Sequence, residues 1–128
     1  MPTQVYRALA VLDELRRAGL PVRDSVIYTE HTDPDGLLGT TAGPEEKVAF
    51  IDARINPGQV RDRSYGSIEL GGVVEVYADP VRATERKEVP AGPCWVFVWD
   101  AVLLRLSPRL TELQASTYVA AFRHPLPV

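Results

Sequence analysis

Seven charged side chains stand within the 24 residues TDPDGLLGTTAGPEEKVAFIDARI, residues 32–55, and their spacing allows two kinds of chemistry. The first is cation binding. Glu30, His31, Asp33 and Asp35 offer oxygen and nitrogen ligands within six residues and are followed by Gly36, and a D-x-D-G run is part of calcium loops. The spacing of a calcium loop fails further on, because the carboxylate of Glu45 falls one position too far along. A turn at Pro34-Asp35-Gly36, with Asp33 bonding its own backbone, accounts for the same residues, and no metal is expected. The second is acid–base chemistry. Asp52 and Arg54 share one parity of an extended segment and Lys47 has the other, so a regular strand separates Lys47 from the pair. A structural salt bridge or a solvated face explains an Asp–Arg pair most simply. The catalytic alternative places Asp52 or Glu75 as a general base beside Arg54.

Other residues are weaker candidates. Trp95, Phe97 and Trp99 alternate along one strand face, where they could stack a planar ligand or anchor a partner, or else fill a core beneath helices. Phe97 is assigned to the core, and Trp95 and Trp99 are kept as candidate binding residues. Cys94 has no histidine near it in sequence, since His31 and His124 are both distant, and a small buried thiol is the economical reading. No nucleophile elbow, phosphate loop, dinucleotide fingerprint or H-E-x-x-H motif is present, and no cofactor is implied.

The elements that must hold these residues follow from periodicity and punctuation. Val5, Ala8, Leu9, Leu12 and Leu15 predict an amphipathic helix over 3–18, closed by Arg16, Arg17, Gly19 and Pro21. Strands are expected at 25–30 and 47–55, then a long polar connection over 56–66, then a strand within 67–78 that Gly71 and Gly72 begin, bend or bulge. Asp79-Pro80 reads as an N-cap and first turn, which starts a short helix ended by the PAGP run at 90–93. Residues 94–107 read as a hairpin hinged near Asp100 and Ala101. Thr111 and Gln114 form a capping box for a last helix, with Leu113, Thr117, Tyr118, Ala121 and Phe122 assigned to its inner face. The order α-β-β-β-α-β-β-α predicts a single α+β domain over 1–128: a mainly antiparallel five-stranded sheet with three helices packed on one face.

Composition narrows the function classes. At 128 residues, 45% hydrophobic and 24% charged, the chain suits one core. A net charge of -3 with scattered Lys and Arg disfavours nucleic acid. One cysteine leaves no internal disulfide, and neither a signal-peptide core nor a run of 18 apolar residues occurs, so a cytoplasmic protein without a membrane segment is expected.

DPDGLLG (33–39), KVAFIDARI (47–55), GGVVEVYADPVRATER (71–86), VLLRLS (102–107) and LTELQASTYVAAF (110–122) together resemble a family of small bacterial proteins, many of them lipoproteins. Its pattern runs DPN-x-LLGRP-x-x-YTSKV, then F-x-D-x-R, a GG-x-x-EVF strand and LLR-x-x-x-x-LTPEQA-x-x-Y. The resemblance covers about residues 27–122 and implies no established activity. Asp33, Pro34, Leu37, Leu38, Gly39, Lys47, Phe50, Asp52 and Arg54 match the pattern. Thr40, Thr41, Pro44, Glu45 and Glu46 replace its Arg, Pro, Tyr, Thr and Ser, so an anion or polar ligand held by those donors in the family would lose them here.

Three functions are therefore expected, in this order. The first is a non-catalytic binding or interaction module that uses the 31–46 loop and the adjacent sheet face, with Asp33, Asp35, Glu45, Glu46, Lys47, Trp95 and Trp99 contacting a protein or small-molecule partner. The second is a small enzyme built on Asp52, Arg54 and Glu75 with an aromatic pocket. The third is an immunity or inhibitor-type partner protein. An open antiparallel sheet also leaves edge strands that homo-oligomerisation would cover.

Overall fold

A computed structural model describes residues 6–64, 66–88 and 94–122. The expectations for Val5, for the PAGP run and for His124 fall outside these residues. Among the described residues the fold is α+β, with three helices and a five-stranded antiparallel sheet in the expected element order.

Helix α1 (Tyr6–Arg17) buries Ala8, Val11, Leu12 and Leu15, spaced three and four apart along one face. Gly19 ends it at φ +91, with Gly19 N–H donating to Arg16 O and Leu20 N–H to Leu15 O. This paired closure needs a left-handed residue, which glycine adopts without a Cβ penalty. Strand β1 (Val22–Ile27) starts and ends three residues before the expected segment, and its register shifts between Arg23 and Ser25, where Asp24 has φ +29. Strand β2 (Glu46–Asp52) stops at Asp52 because that side chain turns the chain back on itself, as described below.

Ser67 caps a short 3-10 turn at Ile68–Leu70, and β3 (Gly71–Val76) begins at the glycine pair. A Cβ on Gly72 would stand 2.6 Å from both the Phe50 ring and the Arg105 carbonyl oxygen, so the absent side chain makes room for Phe50. Helix α2 (Pro80–Lys87) has the expected N-cap: the Asp79 side chain accepts from Arg82 N–H at 2.9 Å. Strands β4 (Trp95–Trp99) and β5 (Val102–Leu106) form the expected hairpin, with Asp100 at φ +54 in the turn. Helix α3 (Glu112–Phe122) starts at the reciprocal bonds between Thr111 and Gln114.

The sheet order is β1-β2-β3-β5-β4. After β3 the chain crosses through α2 to the edge and returns, so β5 lies between β3 and β4. Val48, Phe50, Val74, Val76, Leu104 and Leu106 face α1 and α3 and make the main core with Ala8, Val11, Leu12, Leu15, Ala115 and Tyr118. Tyr77 and Leu103 meet Ala83 of α2 on the other face, with Val96 and Val98 against them. Only two of the three helices thus share a face, because the α2 crossover passes over the opposite side. The inner face of α3 is also rotated from expectation. Leu113 and Thr117 are exposed, while Ala115 and Tyr118 are buried, because the Tyr118 hydroxyl is drawn to Asp52.

Gly72→Ala should destabilise the fold by about 1–3 kcal/mol in denaturant unfolding, through overpacking against Phe50. An unchanged midpoint would show that Phe50 can move aside freely.

Candidate functional site

Lys47 is the centre of a charged cluster on the sheet face that carries α2. Strand alternation puts its side chain on that face, and antiparallel register sets Glu75 directly opposite. The Lys47 ammonium donates to Asp33 Oδ1 at 2.5 Å and to Asp35 Oδ2 at 2.8 Å, and lies 3.7 Å from Glu75 Oε2. The Tyr28 ring centroid is 5.4 Å away. The turn expected at Pro34-Asp35-Gly36 is present, and Asp33 is its organiser. Its Oδ1 also accepts from Asp35 N–H, while its Oδ2 accepts from Leu37 and Leu38 N–H, each at 2.9 Å. One carboxylate therefore shapes residues 33–38 and ties them to the sheet.

The bonds outweigh burial. Burial alone would raise the Asp33 pKa, but the Lys47 ammonium and the Asp35 and Leu38 amides hold it below the ordinary carboxylate value. Burial alone would likewise lower Lys47, yet Asp33, Asp35 and Glu75 keep it above the ordinary lysine value. Both groups stay charged at neutral pH.

Around this pair lie further polar groups. Glu75 is buried and accepts the Tyr77 hydroxyl at 2.7 Å. Arg105, which is 5% exposed, holds its Nε 3.9 Å from Glu75, and Arg86 of α2 holds Nη2 3.9 Å from Asp35. Arg105 Nη2 and Arg86 Nε are buried and have no hydrogen-bond acceptor among the described residues. Asp35, Lys47, Glu75, Arg86 and Arg105 line an open cavity of about 480 Å³ whose wall also includes Tyr28, Asp62 and Val73. Its size is that of a small-molecule site.

Asp52 and Arg54 lie on the opposite face. Asp52 is fully buried and accepts four hydrogen bonds, from the Arg54 N–H, Nε and Nη2 and from the Tyr118 hydroxyl at 2.6 Å. Burial would raise its pKa, but Arg54 and Tyr118 hold it below the ordinary value. With its lone pairs engaged, Asp52 acts as the anchor that joins the end of β2 to α3. The structure does not bring Glu75 beside Arg54; its guanidinium neighbour is Arg105.

The remaining candidates divide. Glu46 is buried and caps α1: Oε1 accepts from Ala8 N–H at 2.9 Å and Oε2 from Arg7 Nε at 3.1 Å. Glu45 is half exposed and pairs with Arg7. The Trp95 indole N–H donates to Leu110 O, and Trp95, Phe97 and Trp99 pack against the α1/α3 core, across the sheet from the cavity. Cys94 is a free, half-buried thiol. Glu30 and His31 are exposed, and among the described residues no three His, Cys, Asp or Glu side chains gather to hold a metal ion. None of the described helices is long and apolar enough to cross a membrane.

Comparison with protein-family models, with curated proteins and with solved structures finds no match to this chain.

Arg86, Arg105, Tyr28 and Tyr77 were not among the expected site residues. A signal for Arg105 exists in VLLRL, a cation inside an otherwise apolar strand, and one for Glu75 in VVEV. A charge in a strand buried on both faces needs a partner.

Two tests follow from the titrating carboxylates. Folded pKa values of Asp33 and Asp52 lie below their unfolded ones, so the unfolded chain binds more protons and stability is lost as pH falls from about 5 through the folded values. Asp52→Asn should make unfolding free energy shallower against pH between about 5 and 2; an unchanged slope would contradict the assignment. Tyr118→Phe should cost about 2 kcal/mol of stability, the range for a hydrogen bond to a charged group. No loss in denaturant unfolding would mean that Asp52 does not depend on the phenol.

Proposed function

We propose that this chain is a non-catalytic binding module, and that its site is the cavity between the 33–38 part of the 31–46 loop and the sheet face carrying Lys47, Glu75 and Arg105. The observation that carries this reading is a 480 Å³ cavity floored by buried charges whose hydrogen bonds are incomplete among the described residues. A hydrophobic filling would serve stability at least as well as a buried ionic cluster, so the cluster is better explained by a ligand. Within this reading the partner is a small molecule, because the polar groups line a recess. Glu45 and Glu46 are engaged by Arg7 and α1 and give little support to an immunity or inhibitor-type role. A cytoplasmic setting, a place in the bacterial family with the DPN-x-LLG pattern, and pairing of two copies through edge strand β1 or β4 belong to the same proposal.

One observation favours the enzymatic reading second: Glu75 is a desolvated carboxylate in a concave site. Against it, Glu75 already accepts from Tyr77 and has two cations within 4 Å, which suits a fixed charge better than a proton carrier.

The test is a thermal-unfolding screen of the full chain with amino acids, sugars, carboxylic acids, phosphate esters, nucleosides and polyamines. Val73→Phe, which fills the cavity, serves as the blocked control. A true ligand at about 100 times its Kd should stabilise wild type by about 2.7 kcal/mol, leave the blocked variant unmoved, and be recovered chemically unchanged. Conversion of the compound would establish the enzymatic reading instead. No stabilising compound of any class would remove the binding module.

A further inference from the structure

The cations of the cavity are not equally satisfied. Lys47 takes the short bonds to Asp33 and Asp35, and Tyr77 takes the short bond to Glu75. Among the described residues, what remains for the two guanidinium groups is one approach of 3.9 Å each, at the outer limit of an ion pair. Arg105 Nη2 and Arg86 Nε are left as buried donors without an acceptor among the described residues. Leaving a buried donor of a charged group unmade is costly, more so than for a neutral one.

The two guanidiniums also share one cavity. They come from different elements, Arg105 from β5 and Arg86 from α2, yet both line the one cavity and both act on the Tyr77 phenol. Burial and Glu75 push that phenol upward in pKa, and the positive charges of Arg86 and Arg105 oppose them. Guanidinium groups are planar, weakly hydrated and suited to bidentate contact with oxyanions, which a buried ammonium is not.

Resting on the binding-module reading above, we infer that the cavity takes a small oxyanion, a carboxylate or phosphate group, held between Arg86 and Arg105. The anion accepts from Arg105 Nη2 and Arg86 Nε and completes the donors that Asp35 and Glu75 leave unmade. Asp33, Asp35, Asp62 and Glu75 outnumber Lys47, Arg86 and Arg105, so the open donors and not a net positive charge hold the ligand, and the site takes a single small anionic group and not a polyanion. Discrimination comes from position: Asp33, Asp35 and Glu75 are committed to Lys47 and Tyr77, Asp62 accepts from Ser64, and the guanidiniums carry the open donors.

The experiment is nitrogen-15 NMR of the arginine side-chain N–H groups in the full chain, titrated with inorganic phosphate and, separately, with succinate. Chloride keeps the ionic strength constant, because general ion association would otherwise move every surface charge. Saturable shifts of the Arg86 and Arg105 signals in the millimolar range or tighter are expected. Arg86→Gln should weaken binding at least tenfold, as should Arg105→Lys, which keeps the charge and removes the planar fork. Arg17→Gln, at an exposed site on α1, should leave affinity unchanged. Phosphate alone would identify a phosphate ester, succinate alone a carboxylate, and both a site open to either.

No saturable shift at these two arginines, or binding that the two site variants leave unaltered, overturns the inference and assigns the open donors to water. Failure here is distinguishable from failure of the module itself. A neutral ligand blocked by Val73→Phe but indifferent to Arg86→Gln would remove the oxyanion and keep the binding cavity. Absence of any ligand would remove both.

Discussion

The contact between Lys47 and Asp33 is the interaction on which the charged face of this protein depends. Both side chains are nearly sealed from water, with 4% of the lysine and none of the aspartate side chain exposed. Taking two charges out of water costs several kcal/mol per ion in effective terms, of order 5 each, and their attraction repays this only with good geometry and satisfied lone pairs. Here Asp33 meets that condition, because its oxygens also accept the Asp35, Leu37 and Leu38 amides. The same carboxylate that neutralises Lys47 folds the loop, so the loop and the sheet cannot be positioned separately.

Strand β2 extends this logic to both faces. Its middle residues, Val48 and Phe50, supply the apolar core, whereas the charges stand at its ends. Glu46 fixes the first turn of α1, Asp52 fixes Tyr118 of α3, and Lys47 fixes the 33–38 loop on the reverse side. Each end charge is paired, so the strand is held in one register by groups that tolerate no slip. A one-residue shift would move Glu46 and Asp52 to the α2 face and Lys47 into the apolar core. Among the described residues the buried donors without an acceptor belong to Arg86 and Arg105, which is why the cavity stands apart from the structural ion pairs.

Much of this architecture was legible from local signals. The capping box at Thr111, the N-cap at Asp79, the glycine closure of α1 and the hairpin at Asp100 all act within a few residues, and sequence spacing reports such interactions directly. Strand parity separates Lys47 from Asp52 and Arg54, and the two groups lie on opposite faces of the sheet. The charged cavity was legible only in part, because its members meet through long-range pairing. Glu75 faces Lys47, and Arg105 lies diagonal to Glu75, only when β5 inserts between β3 and β4. Nothing local in the sequence states that crossover. The same gap hides the face that α2 takes and the partners of Glu45 and Glu46, which are on α1, nearly 40 residues away.

The most direct measurement is amide hydrogen exchange of the Lys47→Met variant beside wild type, read at Leu37 and Leu38 and at the core strand residues Val48 and Val74. Removal of one member of a buried pair is worth about 3 kcal/mol or more, or roughly a hundredfold in an opening equilibrium. The expected result is that Leu37 and Leu38 lose about that much protection while Val48 and Val74 keep theirs, because the loop is released from a sheet that stays folded. Unchanged protection at Leu37 and Leu38 would contradict the account, since the loop would then be held over the cavity by something other than Lys47.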